Sequence, residues 1–132
     1  MKKVIVIIIL LLIVSCDPIY RVTVSNNSTR DITLITEPPI EKNCFNSDAV
    51  ECISQIKMKI KMDDSDNSKG YYKIPSGNEI FLFSTIGIGP GNYLPYKKVM
   101  VLYGNDTIKI DSLNLRKTIN KKVKNSFYIE VQ

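Results

Sequence analysis

Residues 20–36 (YRVTVSNNSTRDITLIT) contain the clearest secondary-structure signal in the chain. Apolar and polar residues alternate over 20–25, a period that is typical of a strand with one buried face. A cluster of turn-forming residues follows at 26–29, and alternation resumes over 30–36. The sequence therefore predicts two strands that pair as a β-hairpin.

Further short strands follow in the rest of the chain. They are predicted at 56–62, 71–74, 80–83, 99–103, 107–110 and 127–131. Residues 56–62 alternate strictly between apolar residues and lysine, which predicts that Met58 and Ile60 face the core and the lysines face water. The segments 80–83 and 99–103 are continuously apolar, as in strands that are covered on both faces.

Two short helices are predicted from apolar residues at helical spacing. The first covers 49–56, and the second contains Leu115, Ile119 and Val123, which recur every four residues. Seven or eight strands, with turns about every ten residues, predict a mainly β fold. We expect an antiparallel β-sandwich or open barrel with one or two short helices, following a cleaved N-terminal signal.

Composition limits the function classes. The chain has 132 residues, the length of one domain, and it contains no histidine, which excludes His-based triads and His-ligated zinc. Its net charge is +5 and its lysines are dispersed, so we expect no nucleic-acid partner. The densest basic stretch contains Arg116, Lys117, Lys121, Lys122 and Lys124. It is either a solvated helix end or loop, or a contact surface for anionic lipid head groups or glycans.

The N-terminus has the features of a bacterial export signal. Residues 1–3 are Met-Lys-Lys, residues 4–14 are an unbroken apolar run, and the run ends in Ile13-Val14-Ser15-Cys16. The run is too short to span a bilayer as a helix, which needs about twenty residues. The motif resembles the lipobox of bacterial lipoproteins, with isoleucine in place of the commoner leucine. An ordinary signal peptide with a coincidental cysteine and an uncleaved membrane anchor are the alternatives.

This resemblance implies a processed protein with a lipid anchor. Signal peptidase II would recognise Ile13-Val14-Ser15 and remove residues 1–15, leaving residues 16–132 as a single extracytoplasmic β-rich domain. Cys16 would carry a diacylglycerol on its thiol and an N-acyl chain on its amino group, and no other cofactor is expected. The protein would be held in the cell envelope by this lipid, at the periplasmic face or the cell surface.

Two further cysteines, Cys44 and Cys52, remain once Cys16 is lipidated. Outside the cytoplasm they predict a disulfide, which would close a nine-residue span. The alternative is two separate buried thiols, with Cys52 on the apolar face of the predicted helix.

Other motifs do not predict a catalytic or metal site. The acidic turn at 63–70 lacks the glycine and glutamate of an EF-hand calcium loop, so no metal is expected. The glycine-rich segment 87–91 lacks the Lys-Ser/Thr of a phosphate loop. Asp106-Thr107-Ile108 and Asp111-Ser112-Leu113 resemble the O-glycosylation sites of Bacteroidota, or they are turn and helix-start signals.

The layout as a whole resembles the small β-rich lipoproteins common in Bacteroidota, and this resemblance implies no biochemical activity. We therefore expect a non-catalytic structural or binding role, with the membrane and an envelope protein or glycan as partners. An inhibitor or immunity-type lipoprotein that acts on one protein partner is the alternative. An envelope hydrolase is the least favoured hypothesis, because nothing in the sequence pairs the carboxylates that glycoside hydrolysis needs.

Overall fold

Two four-stranded sheets form the described part of the fold. The structure, a computed structural model, describes residues 17–43, 57–60, 67–87 and 89–132. Its strands are β1 (Ile19–Asn26), β2 (Ile32–Glu37), β3 (Gly70–Ile74), β4 (Glu79–Ile86), β5 (Lys98–Tyr103), β6 (Asp106–Ile110), β7 (Lys121–Val123) and β8 (Ser126–Val131). Sheet A has the order β4-β1-β8-β7, and sheet B has the order β3-β2-β5-β6. The described helices are a 3₁₀ helix at Ile40–Asn43 and one α-helical turn, α1, at Leu115–Thr118.

The two sheets share one buried apolar cluster. Val24 of β1 and Ile129 of β8 contribute to it from sheet A, and Leu34 of β2 and Val101 of β5 contribute from sheet B. In β1, β2, β3, β5 and β8, alternate residues face this cluster, as in sheets that pack face to face. The fold class predicted from the sequence is therefore confirmed as a mainly β sandwich.

The first two strands lie in different sheets, so the predicted β1–β2 hairpin is wrong. β1 pairs with β4 and β8, whereas β2 pairs with β3 and β5. Both strands form where the alternation predicted them, and only the choice of partner differs. Residues 27–31 are thus a crossing between the sheets and not a hairpin turn.

Asn26, at the end of β1, is fully buried and organises this crossing. Its Nδ2 donates to the carbonyl oxygens of Arg30 (2.7 Å) and Ile74 (2.9 Å). Its Oδ1 accepts from the backbone N–H of Ser28 (3.1 Å) and from the Ser28 hydroxyl (2.5 Å). Because Ile74 ends β3 in sheet B, this one side chain joins both sheets to the connection between them.

Sheet A is mixed, because β1 runs parallel to β8 and antiparallel to β4. The expectation of a purely antiparallel sandwich is wrong at the β1–β8 pair. The chain returns from sheet B through α1 and enters sheet A as the β7–β8 hairpin. In this hairpin it is β8, and not β7, that lies next to β1. Because the two strands of a hairpin run in opposite directions, this choice makes the β1–β8 pair parallel.

The apolar segment 80–83 lies in β4, and all four side chains are buried as predicted. Here the register shifts opposite Val22 and Thr23, which leaves Leu82 as the extra residue of a β-bulge. The Tyr96 hydroxyl donates to the Leu82 carbonyl oxygen. The bulge interrupts the alternation of faces, and it therefore helps to explain why consecutive side chains are buried.

The second continuously apolar segment, 99–103, is covered less completely. In β5 the side chains of Val99 and Val101 are buried, whereas Met100 between them is only half-buried. One face of β5 therefore faces the core, and the other is partly open to solvent.

A short segment around Lys59 extends sheet B at its edge. Lys59 forms an isolated bridge with Tyr72 of β3. Met58 and Ile60 are half-buried and Lys59 is exposed, so these residues follow the predicted facing but lie less deep than expected. The rest of the predicted strand 56–62 lies outside the described residues.

The helix predicted to run from Leu115 to Val123 is wrong beyond α1. The chain turns into β7 instead, where Val123 is exposed. Asn120 accounts for this change, because its side chain donates to the Glu130 carbonyl oxygen and accepts from the Glu130 N–H, both at 2.9 Å. These bonds attach the segment to β8 in place of a second helical turn. The other predicted helix, 49–56, lies outside the described residues.

Replacing Asn26 by alanine should destabilise the sandwich strongly, because the Ile74 carbonyl oxygen would lose a buried donor and the N–H of Ser28 would lose its buried acceptor. We expect the free energy of unfolding, measured by urea denaturation, to fall by about 3 kcal/mol. Asn27→Ala is the matched control. The Asn27 side chain bonds an exposed carboxylate, so its loss should cost less than about 1 kcal/mol. Equal losses would contradict the role assigned to Asn26.

Candidate functional site

A cleft with a volume of about 570 Å³ opens at one end of the sandwich. It lies between the β4–β5 connection and the segment that runs from α1 into β7. The described residues that line it are Gly89, Pro90, Gly91, Arg116, Ile119, Asn120, Lys121, Lys122 and Phe127. Its walls therefore combine loop backbone, three cations and an aromatic ring.

The cleft lies at the end of the sandwich where β1 begins. The N–H of Gly87, two residues before the lining residue Gly89, donates to the Pro18 carbonyl oxygen (2.9 Å). The rings of Tyr20 and Phe127 lie 6.0 Å apart and are tilted by 54°. The crossing between the sheets is at the other end of β1. The start of the described chain and the cleft thus share one end of the molecule.

The turn before α1 places Arg116 at the cleft. Asp111 Oδ1 accepts hydrogen bonds from the backbone N–H groups of Leu113 and Asn114, both at 2.9 Å. Leu115 is fully buried and packs α1 into the core. Because Arg116 follows this buried residue directly, core packing fixes the backbone from which the guanidinium projects.

Phe127 supplies an aromatic wall. It lies on the same face of β8 as Ile129 and Val131, whose side chains are buried. Lys122 Nζ lies 5.2 Å from the centroid of the Phe127 ring, a distance at which a cation is attracted to an aromatic face. The charge of Lys122 is therefore held beside apolar surface.

Lys121 differs from Lys122, because its charge is already compensated. Its Nζ lies 2.9 Å from Glu130 Oε1 and 5.6 Å from the centroid of the Tyr128 ring. The hydrogen bond with Glu130 raises the pKa of Lys121, and the same bond lowers the pKa of Glu130. The two groups form an ion pair at neutral pH and leave little net charge for a ligand.

Arg116 and Lys122 are the uncompensated cations of the cleft. Within the part of the chain that the structure describes, neither forms an ion pair with a carboxylate. The described lining also contains no aspartate or glutamate. A concave surface of one charge sign concentrates its field, so the cleft attracts anions. It is suited to an anionic group that is attached to an apolar or ring-shaped body.

A second polar cluster joins the 3₁₀ helix to β3. The Tyr72 hydroxyl donates to Glu41 Oε2 (2.5 Å) and accepts from the Ile40 N–H (2.8 Å), and Lys59 forms an ion pair with Glu41. Burial raises the pKa of Tyr72. Burial also acts to raise the pKa of Glu41, but the hydrogen bonds from Lys59 and Tyr72 outweigh it and lower that pKa. Since its polar groups satisfy one another, we assign the cluster a structural role.

The residues predicted from the N-terminal motif and from cysteine pairing lie outside the described residues. They are Ile13, Val14, Ser15, Cys16, Cys44 and Cys52. Lipidation and the disulfide therefore stay predictions. In the two glycosylation motifs, Thr107 and Ser112 are exposed, a position that is compatible with both interpretations of these motifs.

The fold divides the basic stretch that the sequence singled out. Arg116, Lys121 and Lys122 line the cleft, whereas Lys117 and Lys124 are not part of its lining. Sequence reasoning missed Phe127 as a site residue, because it was assigned only to the alternation of the last strand. It considered the glycine-rich segment 87–91 only as a phosphate loop, and no local signal joins that segment to a basic segment about 25 residues later.

No protein-family model, curated protein or solved structure matches the chain. None of the described helices is long and apolar enough to cross a membrane. Within the described segments, no three or more His, Cys, Asp and Glu side chains are grouped so that they could hold a metal ion. The cleft and the N-terminal motif are therefore the two features that indicate a function.

Glu41→Gln should make the stability of the protein less dependent on pH in acid. Because the pKa of Glu41 is lowered by folding, its ionised form stabilises the fold above the ordinary value of 4.5, and this contribution is lost as pH falls through the folded-state pKa. The carboxylate is partly exposed, so this contribution is small. Between about pH 7 and about pH 3, the free energy of unfolding should fall further in the wild type than in the variant, by up to about 1 kcal/mol.

Urea denaturation at the two pH values measures this difference. Lys59→Gln removes one partner of the same carboxylate and should flatten the profile in the same way. Acid profiles that are unchanged in both variants would contradict the role of the pair.

Proposed function

We propose that this chain is a lipid-anchored, non-catalytic binding protein of the bacterial cell envelope. Acyl chains on Cys16 would hold it at the membrane, and the cleft would bind an anionic ligand. The sequence Ile13-Val14-Ser15-Cys16, placed directly after a charged and then apolar N-terminus, supports the anchor. Several acyl chains on one residue give stable membrane attachment, whereas a single chain binds only marginally.

The binding proposal rests on the two uncompensated cations, Arg116 and Lys122, in a cleft with an aromatic wall. A guanidinium can donate two parallel hydrogen bonds to a carboxylate or a phosphate. Phe127, Ile119 and Pro90 offer apolar surface against which a sugar ring can pack. An acidic glycan combines these two kinds of contact and is the ligand class that we propose.

The same cleft favours binding over hydrolysis. Glycoside hydrolysis ordinarily requires two carboxyl groups that face each other across the scissile bond, and the described lining residues include none. The carboxylate of Glu130 is paired with the lining residue Lys121, and the bond lowers the pKa of Glu130. A carboxyl group that is held ionised in this way is a poor proton donor. We therefore propose no enzymatic activity.

A protein partner is the second candidate ligand. Two large apolar side chains beside the cleft-forming segments are exposed, Leu113 by 83% and Tyr93 by 56%. The backbone N–H of Tyr93 donates to the carbonyl oxygen of Pro90 (2.9 Å), which ties it to the cleft loop. Each of them is close in sequence to a segment that lines the cleft, so a protein partner seated on the cleft could contact both. Cross-linking in cells would recover one stoichiometric protein if the chain is an inhibitor or immunity-type lipoprotein.

The anchor is tested by labelling cells with a palmitate analogue. The wild-type protein should carry the label and fractionate with membranes, because the thiol of Cys16 is the proposed attachment point. Cys16→Ala should lose the label. Ser15→Ala, which keeps a small residue before the cysteine, is the matched control and should remain labelled. Labelling that persists in Cys16→Ala would remove the proposed anchor.

The cleft is tested by calorimetric titration with oligogalacturonate, a carboxylated glycan, and with a neutral galactan of matched length. The wild type should bind only the acidic chain, and more weakly at high salt. Arg116→Gln combined with Lys122→Gln should raise the Kd by about tenfold or more, because two charge-assisted contacts are lost.

Lys117→Gln is the control for that titration. Lys117 neighbours Arg116 on α1 and is exposed, but it does not line the cleft, so its replacement should leave the Kd nearly unchanged. Equal weakening by both sets of substitutions would show that net charge, and not the cleft, attracts the glycan.

A further inference from the structure

Three large apolar side chains are exposed at the end of sheet A where β1 begins. They are Ile86 (71% exposed), Val123 (49%) and Ile19 (44%), and we call them the anchor-side rim. Single exposed apolar residues are ordinary, but a group on one surface marks a place of contact. The rim is therefore a candidate contact surface.

The three rim residues project from one face of sheet A. Ile19 and Ile86 are register partners in β1 and β4, and register partners project to the same face. Ser126 of β8 is the register partner both of Arg21 in β1 and of Val123 in β7. Since Arg21 lies two residues after Ile19, both project to the same face, and Val123 therefore does so as well.

The rim also lies close to the proposed lipid attachment point. Ile19 is three positions after Cys16, and extended chain spans at most about 3.5 Å per residue, which limits the separation to about 10 Å. The N–H of Gly87, next to Ile86, donates to the Pro18 carbonyl oxygen (2.9 Å), so the chain that leads to Cys16 is attached to this end. Acyl chains on Cys16 would bring the rim to the bilayer surface.

The charges beside the rim are mainly positive. Arg21 projects from the same face as Val123, and Lys124 follows Val123 in the β7–β8 turn. Lys122 projects to the opposite face, where its Nζ lies beside the Phe127 ring. Asp17 contributes one negative charge at the same end, near Gly87. Lysines close to a membrane are attracted by anionic lipid head groups. The surface therefore combines apolar contact with positive charge, as interfacial membrane-binding segments do.

We propose that the anchor-side rim docks on an anionic lipid bilayer, in which the acyl chains of Cys16 are inserted. This inference rests on the proposed lipid anchor and adds an orientation to it. The rim lies at the head groups, the cleft opens at the membrane surface, and the Asn26 crossing points away from the bilayer. The anchor and the rim together then set the distance between the cleft and the bilayer surface.

The orientation can be measured with single tryptophans, because the chain contains none. The mature lipoprotein, purified from membranes and checked for acyl chains by mass spectrometry, is reconstituted into vesicles of phosphatidylcholine and phosphatidylglycerol. Asn125→Trp places a reporter, the rim reporter, in the turn that follows β7, the strand that contains Val123. Asn105→Trp places another, the distal reporter, in the exposed β5–β6 turn at the opposite end. Brominated lipids should quench the rim reporter at least about twofold more than the distal reporter, since these quenchers lie in the bilayer.

A second substitution in the protein that carries the rim reporter tests the rim itself. Ile86→Asp places a negative charge among the apolar contacts and should reduce the quenching of the rim reporter to the level of the distal reporter. Thr29→Asp is the matched control, because it adds the same charge at an exposed site in the crossing and should leave the quenching unchanged. Vesicles of phosphatidylcholine alone should give weaker quenching of the rim reporter, because Arg21 and Lys124 would then meet no anionic head groups.

The outcomes separate this inference from the anchor. An acylated protein in which the rim reporter and the distal reporter are quenched equally would overturn rim docking and leave the anchor intact. Quenching of the rim reporter that survives Ile86→Asp would also overturn it. A purified protein without acyl chains would overturn the anchor and the docked orientation together.

Discussion

The buried amide of Asn26 is the contact on which the arrangement of the two sheets depends. Its two donated and two accepted hydrogen bonds are all made inside the protein, to groups in the crossing and at the end of β3. A buried amide without partners costs more than its bonds contribute, so the chain conformation around it is strongly restricted. In the crossing, the Asn26 side chain reaches Ile74 of sheet B as well as Ser28 and Arg30 of the connection. Crossing between the sheets satisfies every group.

The two ends of the sandwich differ, because the crossing organised by Asn26 lies at only one of them. At the crossing, short connections and buried hydrogen bonds close the space between the sheets. At the other end, the β4–β5 connection and the return through α1 pass on either side of Phe127 and leave an open cleft. The cations of the cleft come from the return segment, while the aromatic wall comes from the final strand. The proposed site therefore exists only because connections from both sheets meet at one end.

The edge of sheet B shows the same dependence on remote contacts. A Cβ atom on Gly70 would lie 2.6 Å from Cε2 and 2.8 Å from Cζ of Tyr72, so only glycine leaves room for that ring. The ring then places its hydroxyl between Ile40 and Glu41, and Lys59 completes the cluster. Lys59 had been expected only to face water. Its exposure agrees with that expectation, but its ion pair shows that it also holds the edge segment against the 3₁₀ helix.

The sequence by itself determined the positions of most of the described strands and the β-sandwich class, because alternation at residues 20–25 or 127–131 buries one face of a strand whatever its neighbour is. The exception is β7, which was predicted as part of a helix. The sequence also marked Arg116, Lys121 and Lys122 as a basic stretch. The tertiary structure alone decided that β1 pairs with β8, that the second predicted helix stops after one turn, and that Phe127 stands beside those cations. Local periodicity carries no information about such choices. The choices involve non-local contacts: Asn26 bonds Ile74 48 positions away, and Asn120 bonds Glu130 ten positions away on another strand. Such bonds form only as the strands assemble.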